Sequence, residues 1–412
     1  MKILKTYLFF LLCTPLYAEN QEIILIKNAT IMTAMEAGIL KDTDLLINNG
    51  LIAEVGQNLE YNGAFVIDAS NHFITPGLIA PQSMIGIQEI ELETETRDDS
   101  SHYFSSGFSI IDAFNPSSAL IPYNRTGGIT TAIVSPSSGN HIFSGMASAF
   151  KLDGKLTEEA IGENVAMIMS FGGSEDSRAS KMLMLKDSII KAKNYHKSRS
   201  QIMRGGYFDF GNYTPRDLEA ILRLIGREIP LIIRVNRARD MLRMIRFSNE
   251  NKIEIIFSGA KEAWRIADKI AIESIPVILD PMDNIPSSFD SIAARMDNAV
   301  ILNNAGVKLL ITSQVTHNSY LSRQGAGNAV AYGLPEHEAL KALTINVATV
   351  FGLSESIGSI EVGKDADILI WNGHPLEVSS FTKEIYIDGK NIDILTRSQM
   401  LRDRYLKRLG LD

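Results

Sequence analysis

Cysteine is nearly absent: Cys13 is the only one in 412 residues. It lies inside an N-terminal segment that reads as an export leader. Lys2 and Lys5 form a basic start, Tyr7 to Leu12 a short apolar stretch, and Leu16-Tyr17-Ala18 precedes Glu19. Leu16 is larger than the small residue favoured three positions before a cut, and Leu12 is too large to precede a lipoprotein cysteine. A chain cut after Ala18 carries no thiol, which excludes disulfides, cysteine nucleophiles and thiolate metal sites. Long apolar runs are also missing. The leader's apolar stretch is well short of the ~20 residues that span a bilayer, so no stable membrane span is expected. The expected location is periplasmic or secreted.

Three further absences narrow the function. There is no stripe of Lys and Arg, and 48 acidic residues outweigh 40 basic ones, so nucleic acid is not an expected partner. No serine sits in a Gly-X-Ser-X-Gly elbow, which argues against a serine hydrolase although Ser137, Ser138 and Ser144 flank glycines. The seven histidines, at 72, 102, 141, 196, 317, 337 and 374, are scattered singly rather than spaced as metal ligands. Nor is there an internal repeat or a low-complexity stretch.

What is present alternates. From Glu22 to Ile67 short strands are separated by turns, with Asn48-Asn49-Gly50 marking a hairpin. The same texture returns at Ala366–Trp371 and Glu384–Lys390. The long middle carries nearly continuous apolar runs at Phe73–Ile79, Ile129–Ser135, Ile229–Val235, Ile253–Ser258, Ile275–Asp280 and Val307–Thr312, with a seventh at Val165–Ser170. Strands buried on both faces read this way. Amphipathic stretches at Pro215–Ile225, Arg239–Asn249, Lys261–Ile272 and Glu336–Thr349 lie among them, and Ser177–Lys197 reads as a packed helix outside the alternation. The alternating acids Glu89, Glu91, Glu93 and Glu95 read as the solvated face of an edge strand. The fold class expected is α/β: a (β/α)8 TIM-like barrel with a small β-sandwich domain formed by both chain ends. Its divisions are a leader at 1–18, sandwich at 22–72, barrel at 73–352, sandwich again at 353–395 and a C-terminal helix at 396–412.

The residues resemble the amidohydrolase superfamily, and within it the imidazolonepropionase-like branch. The likeness is carried by Val66-Ile67-Asp68-Ala69 through Pro76-Gly77-Leu78-Ile79, by Ile111–Pro116, and by Gly127-Gly128-Ile129-Thr130-Thr131 with Ser135–Asn140. Its most specific stretches are Ala342–Asn346 and Ile357–Asp367. The resemblance implies zinc or another divalent metal at the barrel mouth, held by histidines and an aspartate, that activates water against a carbon–nitrogen bond. Carried over position by position, the first histidine pair falls on Pro81 and Ser83. The mid-barrel pair falls on Arg234 and Asn236, followed by a retained Arg237. The next histidine falls on Ser258 or Gly259, and the aspartate on Ser313 or Gln314.

None of these is a good metal ligand, and a guanidinium at position 234 repels a divalent cation. No metal, no cofactor and no catalytic residue are therefore expected. The candidate binding residues are Ser83, His141, Arg234, Asn236, Arg237, Gln314 and His317, a set suited to a carboxylate or phosphate. Both arginines could equally be paired with acids across the mouth, and a relocated metal site using His141, His317 and Asp280 or Asp283 stays open. The expected function is an exported, catalytically impaired amidohydrolase-family protein. It would hold an anionic small-molecule or peptide-like ligand, or act as a homo-oligomer or a subunit beside an active relative. The alternative is an active hydrolase of non-peptide or dipeptide amide bonds.

Overall fold

The computed structural model describes residues 23–137, 141–157, 159–173, 176–313 and 316–411; the segment read as a leader lies outside them. Short runs of Ile, Leu and Val become strands because each face of the strand finds a buried partner. The first five are β1 (Ile24–Met32), β2 (Ile39–Asn48), β3 (Leu51–Gly56), β4 (Phe65–Asp68) and β5 (Phe73–Pro76). Eight more follow: β6 (Leu78–Ser83), β7 (Ile129–Val134), β8 (Phe143–Lys151), β9 (Gly162–Ser170), β10 (Leu231–Val235), β11 (Ile255–Gly259), β12 (Val277–Leu279) and β13 (Leu309–Ile311). The last three are β14 (Ile368–Trp371), β15 (Thr382–Ile387) and β16 (Lys390–Asn391).

Strands β1 to β5 and β14 to β16 hydrogen-bond into one eight-stranded sheet. Its two chain segments meet where β5 pairs antiparallel with β14, Thr75 opposite Leu369. Ile26, Ile31, Leu45, Ile74, Ile368 and Tyr386 form its own core. Strands β6 to β13 form the second eight-stranded sheet in order of sequence, and β13 returns beside β6 to bring the barrel nearly closed. Its lumen is filled by Ile79, Ile133, Ala147, Ile168, Ile232, Ile256, Ile278 and Leu310, with Val347, Phe351 and Ile357 packed against them.

The α/β barrel fold is thus present, with one departure from strict βα repetition. Strand β8 runs antiparallel to both β7 and β9, so two hairpins replace two helical crossovers. It was invisible in the sequence because Ser144, Gly145, Ala147, Ser148 and Ala149 carry no β-branched signal, yet all nine of its residues are buried. Other differences are local. The run Phe73–Ile79 is split at Gly77, with β5 in one sheet and β6 in the other. The Glu89–Glu95 stretch is a string of turns rather than a strand.

The helices are α1 (Leu120–Arg125), α2 (Arg178–Met203), α3 (Pro215–Ile225), α4 (Ala238–Asn251), α5 (Ala267–Ile272), α6 (Asn298–Asn304), α7 (Ser322–Ala331), α8 (Glu336–Leu343), α9 (Ile345–Val350) and α10 (Arg397–Leu409). The single helix expected over Glu336–Thr349 is two, broken at Thr344, whose backbone leaves the helical region at φ −138° and ψ −100°. Thr214 opens α3 with a capping box: its hydroxyl accepts from the Asp217 amide while the Asp217 carboxylate accepts from the Thr214 amide. Among the described residues no helix is long and apolar enough to cross a membrane.

Candidate functional site

Side chains alternate along a strand, so two residues beyond the buried Ile and Leu layer a second inward layer follows. It contains Ser135, Ser170, Arg234, Ser258, Asp280 and Thr312. Three of these lie in register on adjacent strands, Arg234 being paired with Ser170 of β9 on one side and Ser258 of β11 on the other. The barrel mouth is therefore built from four hydroxyls and the Asp280 carboxylate around one guanidinium.

Gln82 and the Pro136 carbonyl help to hold Arg234 in place. Its Nη2 donates to the Pro136 carbonyl at 3.0 Å. With the Gln82 amide turned as the network requires, the Gln82 oxygen accepts from Arg234 Nε at 2.9 Å and Nη2 at 3.1 Å, while its nitrogen donates to Ser258 Oγ at 2.6 Å. Burial pulls the guanidinium down to about 10, with Asp99 acting in the opposite direction; at neutral pH it stays charged. Asp99 itself is paired with Arg97 at 2.8 Å.

Two cavities share Arg234 as a wall. The first, about 240 Å³, is lined by Gln82, Ser83, Met84, Ser135, Ser137, Thr312 and Ser313. The Ser135 hydroxyl is buried there without a hydrogen-bond partner, and Ser83 Oγ lies 3.3 Å from Ser319 Oγ. The second, about 300 Å³, is bounded by Asn236, Lys261, Asp280, Asp283, Asp290 and the Gly172-Gly173 turn. Asn236 Oδ1 is likewise buried without a partner. Lys261 reaches Asp283 at 2.7 Å. Asp290 is clasped by Arg178, which also pairs with Asp240. Among the described residues no three His, Cys, Asp or Glu side chains are grouped to hold a metal ion.

The seven candidate residues separate under this geometry. Ser83 and Arg234 share the first cavity, and Arg234 and Asn236 share the second. Arg237 turns outward, with Nη2 at 3.9 Å from Asp290 and 3.4 Å from the Phe289 carbonyl. His317 is exposed, and its backbone carbonyl takes a hydrogen bond from Asn124 at 3.4 Å. His141 is half-buried and lines neither cavity. Gln314 lies outside the described residues.

Sequence reasoning passed over Gln82, the residue that orients Arg234. Its position between Pro81 and Ser83 is an outward one in a regular strand. However, the register between β6 and β7 slips between Ala80 and Ser83, and the bulge turns Gln82 into the mouth. Pro81, which has no amide hydrogen to give a ladder, was the available signal.

Residues 124–395 match the amidohydrolase family. The amidohydrolase tasK of Hapsidospora irregularis is 24% identical over 403 residues, covering 84% of this chain, while this chain spans only 39% of that longer protein. A stretch of 51 residues is 49% identical to imidazolonepropionase of Sphingopyxis alaskensis, 12% of this chain and 13% of that one. Among solved structures, an amidohydrolase of Thermotoga maritima superposes with a TM-score of 0.81 at 28% identity, over 90% of this chain and 99% of its own.

Proposed function

The chain belongs to the amidohydrolase family, and from that membership we propose that its barrel mouth has been converted from a metal centre into a receptor for a small anion. On this reading the protein is an exported, catalytically impaired homologue. The observation that carries it is the charged, half-buried Arg234 oriented by Gln82 and Pro136 beside the partnerless Ser135 hydroxyl. A carboxylate entering the 240 Å³ cavity would accept from both, and each hydrogen bond to a charged group contributes about 1.5–3 kcal/mol. The residues do not fit a divalent cation. Serines and a threonine line the 240 Å³ cavity, and a permanent cation stands among them. No water-activating step is therefore assigned.

A second reading, an active hydrolase of carbon–nitrogen bonds, is favoured by the family itself and by Asp280 in the mouth layer. One set of measurements separates the two. The purified protein is expected to carry no stoichiometric zinc, iron or manganese. Small carboxylates at about 100 times their Kd are expected to raise Tm by about 2–5 °C, and Arg234→Ala to abolish that rise. A full equivalent of tightly bound metal, with amidase activity lost on chelation, would sink the receptor reading. Co-purification with a ligand-complete relative would identify the protein as that relative's subunit.

A further inference from the structure

The flank of the barrel carries a further cavity, of about 710 Å³, that shares no lining residue with the two at the mouth. It lies between α2 and α3 over β8. Met146 belongs to the outer core and its neighbour Ala147 to the lumen, so this strand shows the cavity its outward face. The floor is apolar, formed by Met146, Ala220, Leu222 and Ile225. The rim carries Lys193, Lys197 and Arg199 from α2 and Arg216 and Arg223 from α3, in a chain of net charge −8.

Part of that charge is already neutralised. Arg199 pairs with Glu219, and Arg223 with Glu228 at 3.4 Å. Lys193, Lys197 and Arg216 line the same cavity and, among the described residues, have no ion pair. Three uncommitted cations above an apolar floor call for a ligand with one acidic end and one hydrocarbon end. The volume lies in the range of small-molecule sites, about 300–1,000 Å³. A peptide helix about 10 Å across would fill it within about two turns, too little contact for specific docking.

We propose that this groove binds a long-chain carboxylate, its alkyl chain along Met146, Leu222 and Ile225 and its head group at Lys193, Lys197 and Arg216. Apolar contact supplies most of the affinity, and the exposed cations select the sign of the head group.

The test is calorimetric titration of the full chain with laurate, below its micellar concentration and at physiological ionic strength, with dodecylamine as the opposite charge. Laurate is expected to bind one per chain and dodecylamine much more weakly. Lys193→Glu/Lys197→Glu on one wall and Arg216→Glu on the other are each expected to weaken laurate about tenfold; all three positions are exposed, so folding is preserved. Arg234→Ala is expected to leave laurate binding unchanged, which keeps this site independent of the mouth. The proposal is overturned by no laurate binding, by equal binding to the charge-reversed variants, or by loss of binding in Arg234→Ala. Laurate-sensitive self-association without one-to-one binding would assign the groove to a second copy of the chain and also overturn it.

Discussion

Replacing Lys151 by methionine removes a buried cation from among three carboxylates. Lys151 stands at the end of β8 with its side chain 4% exposed, 2.8 Å from Asp365, 3.2 Å from Asp367 and in contact with Asp388. It ties the barrel to the other sheet. Burial opposes its charge, but the three carboxylates outweigh burial and hold it above the ordinary lysine range. Asp367 is pushed up to about 6 by burial, with Lys151 pulling the other way.

Without the lysine the acids behave differently. Asp365 and Asp388 have side chains 27% and 38% exposed and can rehydrate. Asp367, at 4%, cannot, and becomes protonated. Keeping a carboxyl of unfolded pKa ~3.9 neutral at pH 7 costs about 4 kcal/mol. The native protein already bears about 3 kcal/mol of that through the raised Asp367 pKa, so at pH 7 the loss added there is about 1.4 kcal/mol, beside that at the exposed acids.

The sign with pH follows. An acid with a raised folded pKa contributes less stability as pH rises from its unfolded value to its folded one. In the native protein that fall ends near pH 6; in Lys151→Met it continues upward. The gap between the two proteins should widen by about 1.4 kcal/mol per pH unit above pH 6. At pH 5 it should shrink to about 1 kcal/mol or less, the loss at the exposed acids. Urea unfolding at pH 5, 6, 7 and 8, read from the fluorescence of Trp264 and Trp371, measures it. The double variant Lys151→Met/Asp367→Asn should regain most of the loss. A deficit below about 1 kcal/mol at pH 7.5, or one independent of pH, would refute the reasoning.

Two further predictions concern single contacts. A Cβ on Gly77 would lie 2.0 Å from Thr130 Oγ1 and 2.8 Å from its Cβ, so Gly77→Ala should cost about 1–3 kcal/mol. Thr130→Ala should recover part of that in thermal melts, and an unshifted Tm for Gly77→Ala would count against so close an approach. Asp217 is fully buried and accepts from the amides of Ser105, Gly107 and Thr214 at 2.8–2.9 Å and from the Thr214 hydroxyl at 2.7 Å. Burial resists its ionisation, but the Thr214 and Gly107 amides and the Thr214 hydroxyl outweigh burial and hold it below the usual carboxylate range. Asp217→Asn should then lose about 2–4 kcal/mol at neutral pH. Because a lowered folded pKa contributes stability above the unfolded value, the gap should close as acid is added below about pH 4; a constant gap would be the wrong outcome.

The barrel was legible because β10 to β13 are buried on both faces and spelled in Ile, Val and Leu, which leaves little choice of secondary structure. The reversed β8 was not, since small residues pack there without announcing a strand. Arg234 could be picked out because it stands at the end of an unmistakable strand. Its partner Gln82 depends on a one-residue slip in register, which no periodicity records. The Lys151 cluster was out of reach for another reason: its partners lie 214 to 237 residues away, and only the meeting of the two chain ends with the barrel brings them together.

That meeting also sets a schedule. During synthesis β5 is complete long before β14, the strand that covers its open edge from Phe73 to Pro76. About three hundred residues must be made in between. At 5–20 residues per second the edge waits roughly 15–60 s for its partner. Pro76, having no amide hydrogen to offer, makes that edge a poorer template for a stray strand meanwhile.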